Sequence, residues 1–154
     1  MELIKIVNIY RFLSGLDLSK FEKDARRAAR KNYVATHKIV ADFEETQKTL
    51  REKCFEGVDE QIKQKAGALE REFSKASETR KSEIEKELSS EDFKPYQEAK
   101  KEFVDLIEEE LKKDFAEPEW AKADEDAWMD SFANANMKFS ASLIDDIKFM
   151  ITLF

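Results

Sequence analysis

The sequence contains few of the residues that build tight turns, with 3 glycines and 2 prolines among 154 residues. An all-β protein of this length needs many turns, and glycine and proline supply most of them. Their scarcity therefore argues against an all-β fold and predicts long helices. The glycines are also scattered, at positions 15, 57 and 67, which excludes the glycine-rich loops that bind nucleotide phosphates.

Cysteine is nearly absent, because Cys54 is the single cysteine of the chain. One cysteine cannot form an internal disulfide, which is typical of proteins in a reducing compartment. No early apolar run ends in a cleavage site, and no run approaches the roughly 18 apolar residues that a membrane span requires. We therefore expect a cytoplasmic protein without membrane association.

Histidine is equally scarce, and His37 is the only one in the chain. Metal sites commonly recruit two or more His or Cys ligands, and His37 and Cys54 would stand about 25 Å apart on one helix. A catalytic Cys–His pair within one chain is therefore excluded. The sequence predicts a protein that is not an enzyme and has no metal site and no cofactor. It also predicts that His37 is a helix-surface or boundary residue.

Charged residues make up 40% of the chain and are unevenly distributed. Residues 1–56 carry 12 Lys/Arg against 9 Asp/Glu, a net charge of +3. Residues 83–130 carry 7 Lys/Arg against 18 Asp/Glu, a net charge of −11, within a chain whose total is −7. One part of the protein is thus mildly basic and another is strongly acidic.

These two charge runs contain the candidate interaction residues. The basic candidates are Arg26, Arg27, Arg30 and Lys31, and the acidic candidates are Glu108, Glu109, Glu110, Asp124 and Asp126. The arginines could contact phosphates, pair with nearby carboxylates, or meet the acidic run within one molecule or between copies. The acidic runs lack the central glycine of a Ca²⁺-binding loop, so a solvated acidic surface is the favoured interpretation.

Apolar residues at helical spacing predict three helices before residue 89, over residues 2–14, 20–56 and 58–88. Ser19 and Glu22 match a capping box that would begin the second helix. The third helix has the four–three spacing of a coiled coil, with an offset at Arg80 that indicates a stutter. Because the connection at Gly57 is short, the second and third helices should pack antiparallel as a hairpin.

The rest of the chain predicts shorter helices. A helix over about residues 93–113 is followed by an irregular segment around Pro118, since proline disfavours helical backbone at the residue before it. Asp124 and Ser140 are each placed to cap a further helix, and the apolar stripe of the last one extends to Phe154.

These elements predict an all-α, single-domain protein in two parts. The long antiparallel hairpin, coiled-coil-like, comprises residues 19–88. We expect it to project from a small compact helical cluster made of residues 1–18 and 89–154. Both tryptophans and several phenylalanines lie in the C-terminal third, so this cluster should supply most of the stability.

Four short segments resemble small all-helical proteins of unassigned function that tailed bacteriophages encode among their structural genes. These segments are Leu13–Phe21, Ala25–Asn32, Asp124–Trp128 and Leu143–Ile147. The four segments are spread over most of the length of the chain. It implies a phage or prophage origin, a location in the host cytoplasm or the virion, and a role in binding or assembly.

The leading interpretation is a non-enzymatic interaction or assembly protein that binds a protein partner or a second copy of itself. A hairpin with a thin apolar seam buries little on its own and commonly completes its burial against a partner. Two alternatives remain open: an acidic inhibitor that mimics nucleic acid on a host protein, and a nucleic-acid-binding module that uses the surface from Arg26 to Lys31.

Overall fold

The computed structural model describes residues 1–138 and 140–152, and the protein is all-α, as predicted. Seven α-helices lie in these residues: α1 (Leu3–Ser14), α2 (Lys23–Phe55), α3 (Glu60–Phe73), α4 (Glu78–Leu88), α5 (Lys94–Leu111), α6 (Glu125–Asn134) and α7 (Ala141–Ile147). Short 3₁₀ turns occur at Leu18–Lys20, Glu91–Phe93 and Lys148–Met150. The two strands, β1 (Ala123–Asp124) and β2 (Ile151–Thr152), are two residues long each and pair in parallel.

The chain forms two compact units. Unit 1 comprises residues 1–44 and 111–154, and unit 2 comprises residues 45–110. This division differs from the predicted one, which placed the whole of residues 19–88 in the hairpin. The reason is that the first half of α2 buries its apolar side in the core of unit 1, whereas its end packs in unit 2.

The core of unit 1 is built around Trp128 and Phe132, both with no exposed surface. Phe21 packs edge-on against both rings, at centroid distances of 6.3 and 5.7 Å. The Trp128 indole Nε1 donates a hydrogen bond of 2.8 Å to the Met150 carbonyl. Ile147 and Ile151 are buried in the same cluster.

Two short backbone pairings hold the irregular segments of unit 1. Ala123 pairs with Ile151 in the parallel β1–β2 ladder. The Met1 ammonium donates to the Phe115 carbonyl at 3.0 Å, and the Phe115 amide donates back to the Met1 carbonyl at 2.9 Å. The irregular segment predicted around Pro118 is confirmed, because residues 115–122 have no regular secondary structure.

The last helix is shorter than predicted. Ser140 caps α7 as expected, accepting a hydrogen bond of 3.1 Å from the Leu143 amide. However, α7 ends at Ile147, and the chain then enters a 3₁₀ turn and strand β2. The ladder with β1 requires extended backbone at Ile151, which ends the helix; Phe154, the predicted end of the stripe, lies outside the described residues.

The capping box predicted at Ser19 is wrong. Ser19 lies in a 3₁₀ turn, where the Asp17 carboxylate accepts from both its amide and its hydroxyl. This local bonding competes with a helix cap, and α2 begins only at Lys23. The Glu22 amide donates instead to the Ser131 hydroxyl at 2.8 Å, which ties the start of α2 to helix α6.

Unit 2 is held by the packing of α2 against α5. Phe55, near the end of α2, contacts the rings of Tyr96 and Phe103 at 5.3 and 6.4 Å. Earlier in α2, the Arg51 guanidinium lies 5.0 Å from the centroid of the Phe103 ring. Cys54 is half-buried beside this cluster, and burial raises the pKa of its thiol, which disfavours the reactive thiolate.

One continuous helix over residues 58–88 was predicted, and this prediction is wrong. The helix is interrupted between Phe73 and Glu78, and the two resulting helices, α3 and α4, pack on each other. Ser77 caps α4 by accepting from the Arg80 amide, and the Arg80 guanidinium bonds Glu72 with two contacts of 2.7 and 3.1 Å. The offset at Arg80 therefore marks a capped turn between two helices, not a coiled-coil stutter.

We expect Phe132→Ala to destabilise the protein by about 3–5 kcal/mol, because it empties the centre of the unit 1 core. Urea denaturation followed by circular dichroism measures the loss. The control is Val34→Ala, at a position 68% exposed, which should change stability by no more than about 0.5 kcal/mol. Equal effects of the two variants would contradict this description of the core.

Stability should also respond to alkaline pH through Tyr96. Burial, and then a 3.0 Å hydrogen bond to Glu70, raise its pKa to about 12, above the value of about 10 in an unfolded chain. The protonated phenol therefore stabilises the folded state below about pH 10, and this contribution is lost as pH rises through about 12. Urea midpoints of the wild type and Tyr96→Phe should converge across that range. A constant difference would show that Tyr96 acts only through packing.

Candidate interaction face

The exposed side of α2 in unit 1 carries an apolar residue inside a ring of cations. Val34 is 68% exposed, and its neighbours three, four and seven positions away lie on the same side of the helix. These neighbours include Arg27, Arg30, Lys31 and Lys38, all exposed. We call these four cations and Val34 the basic face.

The opposite side of α2 holds the helix in place. Ala25, Ala28 and Ala29 are buried in the unit 1 core. Asn32, also buried, makes two hydrogen bonds to one residue: its Nδ2 donates to the Ala121 carbonyl at 2.9 Å, and its Oδ1 accepts from the Ala121 amide at 2.8 Å. These contacts orient α2, so the basic face is presented on a rigid element.

Arg26, a predicted interaction residue, does not belong to the basic face. Its Nη2 donates a hydrogen bond of 2.7 Å to the Phe21 carbonyl, and its Nε is buried without a hydrogen-bond partner. This guanidinium therefore stabilises the turn before α2. The other predicted cations, Arg27, Arg30 and Lys31, point away from the core, as their exposure shows.

A groove of about 490 Å³ in unit 1 brings basic and acidic candidates together. Arg27 and Lys31 line it with Lys122, and Asp24 and Asp124 line it as well. Basic and acidic runs that are far apart in sequence thus meet within one unit at Asp124. The mixed charge leaves the groove close to neutral, and two of the four cations of the basic face, Arg27 and Lys31, lie beside carboxylates there.

The remaining acidic candidates lie in two places. Glu108, Glu109 and Glu110 are on α5 in unit 2, the first two exposed. Asp124 caps α6 as predicted, accepting from the Ala127 amide at 2.7 Å, and Asp126 is exposed in the first turn of that helix. Neither set forms a cation cage, because no group of three or more His, Cys, Asp or Glu in the described residues is placed to hold a metal ion.

Three aromatic residues border the basic face. Tyr10 of α1 stacks on Tyr33 of α2, with ring centroids 5.4 Å apart, and His37 lies within 6 Å of both, at 5.8 and 5.7 Å. His37 is exposed on the helix surface, as predicted. Each tyrosine ring covers one face of the other, and the pair packs α1 against α2.

Sequence reasoning missed the importance of Val34 and Asn32. A helical projection would have found Val34, because four of its six helical neighbours are cations and only one, Ala41, is apolar. Asn32 gave no such signal, because its partner Ala121 is far along the chain and lies in a segment without regular structure.

Among the described helices, none is both long and apolar enough to cross a membrane.

The two classes of arginine on α2 should separate in stability measurements. Arg26→Glu removes the bond to Phe21 and places a carboxylate beside that carbonyl, so we expect a loss of about 1–3 kcal/mol. Arg30→Glu, four residues along the same helix, should stay within about 0.5 kcal/mol of the wild type. Thermal unfolding of the two variants measures these losses of stability. A similar loss in both variants would show that Arg30 also has a structural role.

Comparison of the chain with family models, with curated proteins and with solved structures finds no match.

Proposed function

We propose that the protein is a non-enzymatic interaction protein that docks its basic face onto an acidic protein surface during assembly. The partner that the chain itself supplies is a second copy. The observation that carries this proposal is the exposure of Val34 at the centre of four cations.

The arrangement of the basic face resembles the general anatomy of protein interfaces. An apolar centre supplies affinity when it is removed from water, and charged residues around it set orientation and association rate. None of the ion pairs seen in the described residues involves Arg27, Arg30 or Lys31. Their charges are therefore available to carboxylates on another molecule.

A second copy offers suitable carboxylates on α6. Glu125, Asp126 and Asp130 are exposed on this helix, and all three belong to the acidic run of residues 83–130. A basic face on one copy and an acidic face on the next form a head-to-tail contact, which builds rings or filaments. This geometry suits an assembly protein and agrees with the resemblance to phage structural gene products.

Nucleic acid is the less favoured ligand for the basic face. Base stacking needs free aromatic faces, but Tyr10 and Tyr33 stack on each other. Asp24 and Asp124 line the groove beside Arg27 and Lys31, where they would repel a phosphate backbone. An acidic mimic that binds a host protein through Glu108 and Glu109 remains the second alternative.

The test is the triple reversal of Arg27, Arg30 and Lys31 to glutamate. Self-association is measured by light scattering over a concentration series, at low and at physiological salt. Three exposed pairs contribute up to about 1 kcal/mol each, so we expect association to weaken about tenfold or more at low salt. The difference from the wild type should shrink as salt rises.

A matched control reverses three exposed lysines of unit 2, Lys48, Lys53 and Lys65, to glutamate. It changes the net charge equally and should leave association unchanged. The same proteins are titrated with a 20-nucleotide single strand and a 20-base-pair duplex. A wild type that is monomeric at all concentrations contradicts self-assembly. Nucleic-acid binding that only the basic-face variant loses would assign the face to nucleic acid instead.

A further inference from the structure

Unit 2 contains a groove of about 720 Å³ between helices α2, α3 and α5. Pockets that bind small organic ligands commonly measure about 300–1,000 Å³ and combine an apolar surface with a few polar groups. The groove has this composition, because aromatic rings and charged side chains both line it. It lies wholly within residues 45–110 and shares no residue with the basic face.

Two aromatic residues give the groove its apolar surface. Phe55 of α2 and Tyr96 of α5 pack together, with ring centroids 5.3 Å apart. The Tyr96 hydroxyl donates to Glu70 at 3.0 Å, which fixes the ring. A flat apolar group can therefore stack or pack on a surface that is already ordered.

Two arginines line the same groove without a carboxylate partner among the described ion pairs. Arg51 lies over the Phe103 ring at 5.0 Å, and Arg71 reaches back over Gly67 on α3. Guanidinium groups present forked donors that match carboxylate and phosphate oxygens. Held beside the aromatic surface, they favour a ligand that carries an anion on an apolar body.

The other charged residues of the lining are mostly compensated. Glu70 accepts from Lys100 at 2.7 Å as well as from Tyr96. Lys63 pairs with Glu60 at 2.8 Å. The Glu52 side chain is exposed, and its carboxylate would repel an anionic ligand. Removing this charge should therefore strengthen the binding of an anion.

Gly67 is the unexpected residue of the lining. It lies inside α3, where alanine is a better helix former, and its backbone has no positive φ that would demand glycine. A methyl group there would meet only Arg71 Nη1, at the ordinary contact distance of 3.6 Å. Packing therefore does not require glycine, and its effect is to keep the groove open beneath Arg71.

We propose that this groove binds a small organic anion with a flat apolar body, held by Arg51 and Arg71 against Phe55 and Tyr96. The anionic group is a carboxylate or a phosphate. The proposal rests on unit 2 alone and is independent of the function proposed for the basic face.

The experiment titrates the intact protein with three probes that share a naphthyl body: 2-naphthoate, 2-naphthyl phosphate and 2-naphthylmethylammonium. Amide shifts in nitrogen–proton correlation spectra report the site. The chain has 3 glycines, so the Gly67 amide is readily identified. We expect saturable shifts at Gly67 and Arg71 with the anions, and affinity for the cation at least about tenfold lower.

Four variants test the geometry. Arg71→Gln should weaken binding of the preferred anion about fivefold to tenfold, since a charge-assisted bond is lost. Glu52→Gln should strengthen it about twofold to threefold by removing a like charge. Gly67→Leu fills the groove with a good helix former and should abolish binding while the protein still unfolds cooperatively. Lys65→Gln, at an exposed position of α3 outside the lining, is the control and should have no effect.

The comparison between the naphthoate and the phosphate decides which anion the groove prefers. Equal affinity for anions and the cation would overturn the proposal, as would shifts that avoid Gly67. So would unchanged binding in Gly67→Leu, because a ligand in the groove cannot tolerate that side chain.

Discussion

The structure depends on how closely helix α2 approaches the C-terminal aromatic core. Ala25, Ala28 and Ala29 place small side chains on the inner side of the helix, where Trp128 and Phe132 are buried in the same cluster. Larger residues at these alanines would separate the helix from the rings, since cores are close-packed. The hydrogen bonds from Asn32 to Ala121 and from Glu22 to Ser131 then fix the helix in register. Burial supplies the stability and these polar contacts supply the orientation.

Local signals in the sequence predicted local features well. The scarcity of glycine and proline predicted an all-α fold, and Asp124 and Ser140 cap helices at the positions predicted for them. The failures arose where two local signals competed. At Ser19 a helix cap was predicted, but the Ser19 amide and hydroxyl both donate hydrogen bonds to the nearby Asp17 carboxylate instead. At Ser77 the apolar spacing suggested a continuous coiled coil, and a serine cap within that pattern went unrecognised.

The candidate sites were harder to predict than the fold, because each joins residues that are distant in sequence. The basic run on α2 was visible, yet its spacing alone could not separate Arg26, whose guanidinium bonds Phe21, from the exposed Arg30. The unit 2 groove needs Arg51, Arg71 and Tyr96 from three helices. Only Gly67 gave a hint in the sequence, as a glycine within a helical pattern, and a glycine there has more than one explanation.

Charge at two length scales constrains what either site can bind. Unit 1 carries 14 Lys/Arg against 15 Asp/Glu, and unit 2 carries 13 against 19, so both cationic sites lie in units without net positive charge. Electrostatic interactions are screened within about 8 Å at physiological ionic strength. A small anion or a compact acidic surface therefore interacts mainly with the nearby arginines. A long polyanion spans many such lengths and also meets the surrounding carboxylates, which repel it. The same positive clusters thus favour small or compact acidic ligands over extended nucleic acid.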